Sequence, residues 1–472
     1  MTEPAVFPKT VRKLLFFSSP MIFNTLLNMS PLLLSMWMLA QLGKEQLAAA
    51  AIAVPTFYTI VTIFMAGFYA IGIKVGHCYG ENKKNREIGL WTRNGLFLAL
   101  ILGIPAIFIL LNAHFLLLWF GQSPHLVQIT KPFFFFGALN IIPMLINSTL
   151  TQYFSGIGHP RIVLVLSIIT LPLVVILSYM LVLGHVGLPQ LGLAGITCAV
   201  FIADSIFMLC AIGIVQLSKH SKTYFIFSRP LGINYQHCIE LIKLGWPISI
   251  QVSGELAAMT LATYLLGLFG VSALAASEVV VQYVMVFIMI SMGLEQGVTI
   301  LVSQANGQKN LPAIQQITKA GIFLILLISS IFIFAFLAFS STLMNFYLNI
   351  HQADHIQLVK YTIDFMKIAA LYLVFDGVRH ILTSTLRGLG DTKMPMKIGV
   401  GCLLLIGLPC AYLGGFIFHG GPVVLRLTYT IGVIIATIWL VYRYRMKLQS
   451  IFRKHKKTTC MSTKLFSQTE FN

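Results

Sequence analysis

Long apolar stretches separated by short polar segments run through the whole chain. Twelve of them reach the roughly 20 residues that a helix needs to cross the hydrocarbon core of a bilayer. They lie at about 15–40, 47–75, 89–112, 128–154, 162–184, 191–217, 241–268, 273–302, 316–343, 361–386, 397–418 and 422–442. The pattern predicts an all-α integral membrane protein with twelve transmembrane helices.

The composition favours a membrane protein over a basic soluble one. Charged residues make up only 10% of the 472 residues and hydrophobic residues 57%, whereas soluble domains carry roughly 25% charged residues. The net charge of +18 comes mainly from basic residues in the short polar segments and the tail. Since these concentrate in alternate segments, they predict a multi-pass protein of the cell (inner) membrane with both termini in the cytoplasm. Nucleic-acid binding is not expected.

Segments of the first half recur in the second half at a nearly constant offset. GHCYGENKKN from Gly76 matches SQANGQKN from Ser303, 227 residues later, and FSGIGHPR from Phe154 matches LRGLGDTK from Leu386, 232 residues later. Both halves begin inside, so they are parallel repeats of six helices, as in transporters that bind substrate between two lobes. The predicted domains are an N-terminal lobe at 1–223, a C-terminal lobe at 224–450 and a basic cytoplasmic tail at 451–472.

Acidic residues within the apolar runs are the first candidates for function. A charge at the centre of a membrane helix costs about 2.5–3.5 kcal/mol on insertion scales. The second half contains Glu255, Glu278, Glu295 and Asp376 in such runs, and the first half contains Asp204 alone. A cation site is therefore expected in the second half.

The tenth apolar run places several polar side chains on one face of a helix. Tyr372, Asp376, Arg379 and His380 follow one another at intervals of one turn or less. Arg379 is spaced to pair with Asp376 and to hold it ionised. Such a pair is either part of a functional site or purely structural, and the spacing leaves both readings open.

Further polar side chains and a row of methionines are candidates for lining a substrate cavity. Methionine adapts to varied apolar ligands, but packing and interhelical hydrogen bonds explain the same residues as well. The candidates are Asn24, Asn28, Ser35, Asp204, Gln251, Glu278, Gln282, Met285, Met289, Arg379 and His380.

Enzyme motifs are missing from the sequence. It contains no HExxH, GxSxG or Walker pattern. The glycine-rich segment 387–393 joins two apolar runs instead of a strand and a helix, so it predicts an inner-face turn and not a phosphate loop. Neither an enzymatic activity nor a cofactor is predicted.

Several segments resemble the multidrug and toxic compound extrusion (MATE) transporters. They are LAQLGKEQLAAAAIA at 39–53, LGWPISIQVSGE at 244–255, VSQANGQKN at 302–310 and FDGVRHILTSTLRGLGDTKMP at 375–395. The resemblance implies twelve helices in two V-shaped lobes and the exchange of Na⁺ or H⁺ for organic cations. It also implies that Glu255, Asp376 and Tyr372 form the cation-coupling site, with Na⁺ held at the two acids if Na⁺ is the ion. Ser35 stands where many bacterial members carry an aspartate, which argues against coupling through the first lobe.

The predicted function is a secondary antiporter that exports drug-like organic cations as a monomer among membrane lipids. Coupling follows if Glu255 and Asp376 cannot hold the ion and the drug together, and His380 permits protons as the driver. One alternative is a lipid or lipid-linked oligosaccharide flippase, whose cavity should be rich in Arg and Lys. The other is a non-transporting scaffold or sensor, in which the buried acids have no use.

Overall fold

The computed structural model describes residues 6–82, 85–184, 187, 189–218, 223–227, 234–345 and 356–469. All regular secondary structure in these ranges is helical, which confirms the all-α part of the predicted fold class. Apolar runs of this length form helices because a helix satisfies its backbone hydrogen bonds internally, as lipid surroundings require.

The helices succeed one another along the chain with short connections, and we number them in order. They are α1 Val6–Leu27, α2 Ser30–Gln41, α3 Lys44–Gly80, α4 Asn85–Leu111, α5 Ala113–Trp119, α6 Pro124–Gly156, α7 Pro160–Leu183, α8 Leu193–Leu217, α9 Tyr235–Gly267, α10 Val271–Gly307, α11 Leu311–Ala338, α12 Ser340–Asn345, α13 Ile356–Gly388, α14 Lys393–Ile417 and α15 Gly421–Thr469. A 3₁₀ turn at Ala66–Phe68 interrupts α3, and π-helical segments at Cys402–Gly407 and Leu413–Ile417 interrupt α14.

Within the described ranges, nine helices are long and apolar enough to cross a membrane: α3, α4, α6, α7, α8, α10, α11, α14 and α15. Their outer faces expose large apolar side chains, and Ile104, Phe108 and Phe334 are 65–68% exposed. An apolar exterior of this extent requires surrounding lipid. The other predicted runs also form helices, but α9 and α13 carry charged residues between their apolar ones.

The first predicted run, 15–40, is not one continuous helix. α1 ends at Leu27 and α2 begins at Ser30, so Asn28 and Met29 lie in a break. Pro31 in the first turn of α2 accounts for part of the break, because proline is tolerated at a helix start and not in its interior. The break separates Asn24 from Ser35, two of the candidates for lining a cavity.

Two large hydrophobic cores organise the bundle. One consists of buried residues between 38 and 241, and the other of buried residues between 258 and 433 together with Leu14. The first long helix of each half also packs against the other half. α1 reaches α10, where a Cβ atom at Gly293 would lie 2.5 Å from the Cα atom of Ile22. α9 reaches α3, where a Cβ atom at Gly245 would lie 2.4 Å from the carbonyl oxygen of Gly67.

A reciprocal glycine contact joins the two halves where α3 meets α10. A Cβ atom at Gly80 would lie 2.0 Å from the carbonyl oxygen of Gln304, and one at Gly307 would lie 2.1 Å from that of His77. Gln304 and Gly307 are the partners of His77 and Gly80 at the repeat offset of 227 residues. The contact is thus nearly symmetric, and only glycine allows the two backbones to come so close.

Polar contacts at the same end of the bundle connect the segment between the halves to α3 and α4. Lys74 Nζ on α3 lies 2.7 Å from Glu240 Oε2 on α9. The buried Arg93 on α4 donates from Nε to the carbonyl oxygen of Ile226 at 3.0 Å and from Nη2 to that of Phe225 at 2.6 Å. The described part of the connecting segment is therefore held against the first half.

We expect Gly80→Ala and Gly307→Ala to destabilise the close backbone contact between α3 and α10. The new methyl group meets backbone and not a movable side chain, so the cost should be that of overpacking, about 1–3 kcal/mol. Lower melting temperatures of the purified variants in detergent would show it.

Gly213→Ala on α8 is the matched control, since a Cβ atom there would have no heavy atom within 4 Å. Its melting temperature should equal that of the wild type. If all three variants melt with the wild type, the two backbones are not in tight contact.

Candidate functional site

Arg379 on α13 lies between two carboxylates, one on α9 and one on α13. Its Nη1 and Nη2 atoms donate to Glu255 Oε1 and Oε2 at 2.6 and 3.1 Å. Its Nε and Nη2 atoms donate to Asp376 Oδ1 at 3.0 and 2.8 Å. This geometry is the bidentate recognition for which arginine is suited. Both acids of the predicted cation site are therefore bound to a cation that the chain itself supplies.

The hydrogen bonds continue from Arg379 through α10 and return to Glu255. His380 Nδ1 lies 2.9 Å from Glu295 Oε2, and its Nε2 lies 3.5 Å from Asp376 Oδ2. Arg387 donates from Nη1 to Glu295 Oε1 and from Nη2 to Gln251 Oε1 at 3.0 Å. Gln251 Nε2 then donates to Glu255 Oε1 at 2.9 Å. We call this closed circuit the polar ring; its members are Gln251, Glu255, Glu295, Asp376, Arg379, His380 and Arg387.

Helical spacing brings the members of the polar ring together. Gln251 and Glu255 are one turn apart on α9, and Asp376, Arg379, His380 and Arg387 recur along one face of α13. Gly399 on α14 provides the room beside them, because a Cβ atom there would lie 3.0 Å from Glu255 Oε1 and 3.2 Å from Gln251 Nε2.

The polar ring is almost sealed from its surroundings. The Asp376 and Arg379 side chains are 2% and 4% exposed, whereas the side chain of Glu255 is 18% exposed. Glu255 is thus the most accessible of the paired acids.

The charges of the polar ring nearly cancel. Glu255, Glu295 and Asp376 contribute three negative charges, and Arg379 and Arg387 contribute two positive ones. One negative charge remains when His380 is neutral, and none when it is protonated. Because removal of one partner from a buried ion pair leaves a costly unpaired charge, the circuit is stable only when it is complete.

The hydrogen bonds from Arg379 limit the access of a metal ion to the two carboxylates. The described residues contain no group of His, Cys, Asp and Glu side chains arranged to hold one. Both Glu255 oxygens and Asp376 Oδ1 already accept hydrogen bonds from Arg379. A Na⁺ ion could reach these oxygens only after the guanidinium moves away.

Five of the predicted site residues therefore meet in one place: Gln251, Glu255, Asp376, Arg379 and His380. Tyr372 lies one turn before Asp376 on α13 and faces a small cavity. Glu278 and Gln282 bond to each other at 2.8 Å on an exposed part of α10. Met285 and Met289 are half-buried on the same helix, and Asn24, Asn28 and Ser35 belong to the first half.

Asp204 lies in a separate polar cluster in the first half. Asn140 donates from Nδ2 to Asp204 Oδ2 at 2.9 Å, and Asn147 donates to the backbone carbonyl of Asp204 at 2.8 Å. No basic side chain of the described residues forms an ion pair with this acid. The two halves thus differ in their polar chemistry.

Two members of the polar ring, Glu295 and Arg387, were not among the predicted site residues. The sequence marks Glu295 only as one of the acids within apolar runs, and it predicts a turn that includes Arg387. The structure places Arg387 inside the last turn of α13, 6% exposed and bound to Glu295. Its spacing of two helical turns from Arg379 and His380 was the available signal.

Comparison with known proteins identifies the family. The MatE family model matches residues 20–180 and 247–413. The chain belongs to the MatE family. The two matched segments fall in the two predicted repeats, and together they cover more than half of the chain.

Relatives of this MatE protein include the "Probable multidrug resistance protein NorM" of Agrobacterium fabrum, 27% identical over 87% of this chain and 88% of the relative. The protein of the same name from Rhizobium meliloti is 27% identical over 94% and 95%. Among solved structures, a MATE crystal structure "in the bent conformation" has a TM-score of 0.85 at 16% identity, over 95% of this chain and 97% of the other. A MOP superfamily transporter from Pyrococcus furiosus has a TM-score of 0.82 at 16% identity, over 94% and 96%.

Membership of the MatE family makes the chain a multi-pass membrane transporter and not an enzyme, which confirms both predictions. The apolar helices agree with this assignment.

We expect Arg379→Gln to destabilise this MatE protein strongly. The change leaves two buried carboxylates facing each other without their cation, and breaking a buried pair costs about 3–5 kcal/mol. The double variant Arg379→Gln/Glu255→Gln removes one of the stranded charges and should recover part of the loss. Melting temperatures in detergent measure both.

Lys367→Gln is the control on the same helix, since Lys367 pairs with Asp364 at 3.5 Å and its side chain is 60% exposed. Exposed pairs contribute about 0–1 kcal/mol. Equal melting temperatures for the Arg379 and Lys367 variants would show that the polar ring contributes nothing special to stability.

Proposed function

We propose that the protein is a secondary active antiporter that exports drug-like organic cations across the cell (inner) membrane in exchange for Na⁺ or H⁺. The names of the relatives support a role in multidrug resistance. The polar ring supports coupling through Glu255 and Asp376. The transporter acts as a monomer surrounded by lipid.

We further propose the complete predicted topology of twelve spans with both termini in the cytoplasm. Each of the twelve apolar runs coincides with a long helix or, in the first run, with the pair α1 and α2. The three runs outside the nine strongly apolar helices include α9 and α13, in which Glu255, Asp376 and Arg379 are largely buried in the bundle. Their polarity therefore does not argue against a membrane position.

One observation carries the proposed mechanism: Arg379 already occupies both carboxylates. An incoming cation must displace the guanidinium from Glu255 and Asp376, and so must the positive group of a drug. Ion and drug thus compete for the same oxygens. When either of them departs, Arg379 pairs with the two acids again, so no acid is left without a cation. Competition for one site is the condition for exchange.

The available energy limits the stoichiometry. One positive charge moving inward at 100 mV yields about 2.3 kcal/mol, and a tenfold ion gradient adds about 1.4 kcal/mol. When one monovalent drug cation is exchanged for one monovalent ion, no net charge moves and the voltage contributes nothing. The tenfold ion gradient then supports only about a tenfold concentration gradient of the drug. Strong export of such drugs therefore requires more than one driving ion for each drug molecule.

A flippase for lipid-linked oligosaccharides is not favoured by the site. Such a substrate carries phosphates and needs an excess of Arg and Lys, whereas the polar ring has three acids against two arginines. A scaffold or sensor that does not transport has no need of buried charges, because buried ion pairs add little net stability. The polar ring therefore does not favour this alternative.

We expect Glu255→Gln and Asp376→Asn each to reduce gradient-driven efflux of a fluorescent organic cation at least tenfold in proteoliposomes. Each change removes one of the acids for which ion and drug compete. Comparing an imposed Na⁺ gradient at fixed pH with an imposed pH gradient without Na⁺ identifies the driving ion.

Asp364→Asn is the matched control on α13, since Asp364 lies three turns before Asp376 and pairs with the exposed Lys367 at 3.5 Å. Its efflux should equal that of the wild type. Efflux at the wild-type rate from both Glu255→Gln and Asp376→Asn would exclude the coupling site.

We expect Gly399→Ala to slow efflux without removing any charge. The methyl group would press on Glu255 and Gln251, and these must shift by a few tenths of an ångström, which disturbs the bonds to Arg379. Gly401→Ala, on the same helix, has no heavy atom within 4 Å of the new methyl group and should leave efflux unchanged. Equal rates in the two variants would mean that the geometry of the polar ring is unimportant for transport.

A further inference from the structure

A second charged group inside the C-terminal half lies apart from the polar ring. Arg426 on α15 lines a small cavity of about 60 Å³ enclosed by α9, α10, α13 and α15. Most of the lining is apolar, with Val284 and Ala369 as examples. The polar contributions come from Arg426, Ser277, Thr430 and the phenol groups of Tyr372 and Tyr429.

No acid pairs with Arg426 among the described residues. Its guanidinium hydrogen-bonds to the hydroxyl of Ser277. The neighbouring acid, Glu278, accepts a hydrogen bond from Gln282 at 2.8 Å and lies beyond ion-pair distance of Arg426. A guanidinium has five N–H donors, so most of them remain without a partner. A positive charge at membrane depth without an anion is costly and marks a site of function.

The two tyrosines increase the capacity of the cavity to bind an anion. Neither Tyr372 nor Tyr429 forms a side-chain hydrogen bond to another described residue, so both hydroxyl groups are free to donate into the cavity. With Arg426 they offer donors from two helices, α13 and α15. No carboxylate lines the cavity. The lining therefore suits an anionic group and is unsuited to a cationic one.

The volume of the cavity limits the size of the anion. The cavity has a volume of about 60 Å³. A carboxylate group suits that space, whereas a whole drug molecule does not. A ligand of drug size would therefore place only its anionic group there.

The cavity is adjacent to the polar ring through Tyr372. This residue lines the cavity, and Asp376 follows it by one turn of α13. A molecule that carries both signs of charge can thus present its cation toward Glu255 and Asp376 and its anion toward Arg426. Neither charge would then be left unpaired in the membrane.

We propose that Arg426, with Tyr372 and Tyr429, binds the carboxylate of zwitterionic amphipathic substrates. The proposal rests on the transport function proposed above and adds a substrate class to it. A drug with a carboxylate is favoured over its ester at this site. A purely cationic drug uses the polar ring alone.

The test compares a carboxylic acid with its own methyl ester: rhodamine 110, a zwitterion, and rhodamine 123, its cationic ester. Efflux of each dye is measured in proteoliposomes under the same imposed ion gradient. We expect Arg426→Gln to slow rhodamine 110 efflux about tenfold or more, since a hydrogen-bonded charge pair is lost. Rhodamine 123 efflux should change less than twofold, which also shows that the variant is folded.

Two further variants distinguish the effect of the positive charge at position 426 from that of its hydrogen bond to Ser277. Arg426→Lys keeps the positive charge and should retain more rhodamine 110 efflux than Arg426→Gln. Ser277→Ala removes the hydroxyl group bound to Arg426 but keeps the charge, and efflux of both dyes should stay close to the wild type.

Three outcomes would overturn the proposal. If Arg426→Gln slows both dyes equally, Arg426 is only structural. If the wild type exports rhodamine 123 but not rhodamine 110, the carboxylate site is wrong while the proposed transport function stands. If the wild type exports neither dye under any imposed gradient, the transport function fails and the carboxylate site fails with it.

Discussion

The ion pairs of Arg379 with Glu255 and Asp376 are the interaction on which the C-terminal half depends. Each of the three groups would be prohibitively costly alone in the membrane interior, and together they satisfy one another. Because Glu255 belongs to α9 and the other two to α13, the pairs also connect these two helices. Glu295 and Arg387 extend the connection to α10. The charged residues thus link the three helices that carry them.

The two halves share a scaffold but not a site. The contact of Gly80 with Gln304 and that of Gly307 with His77 are equivalent under the repeat, so packing between the halves has kept its symmetry. The chemistry has not, since Asn28 corresponds to Glu255 and Met144 to Asp376 at the repeat offsets. The first half instead holds Asp204 with two asparagines. The symmetric packing between the halves therefore coexists with different polar chemistry inside them.

The sequence predicted most of the fold because apolar length and helical period are local signals. It also predicted the polar face of α13, since Asp376 and Arg379 are close in the chain. Their meeting with Glu255 followed from family resemblance and not from spacing. The roles of Glu295 and Arg387 depend on how α10 packs against α13, and no local pattern specifies that contact. The break between α1 and α2 and the position of Arg426 in a cavity that no carboxylate lines likewise became visible only in three dimensions.

The central claim is that Arg379 keeps Glu255 and Asp376 ionised until a cation displaces it. Dicyclohexylcarbodiimide tests this directly, because it modifies protonated carboxyl groups in apolar surroundings and spares ionised ones. Mass spectrometry of the purified protein at neutral pH should find Glu255 and Asp376 largely unmodified in the wild type. In Arg379→Gln at least one of them should be modified heavily, since two buried acids without a cation cannot both stay ionised. Equal modification of wild type and variant would contradict the account.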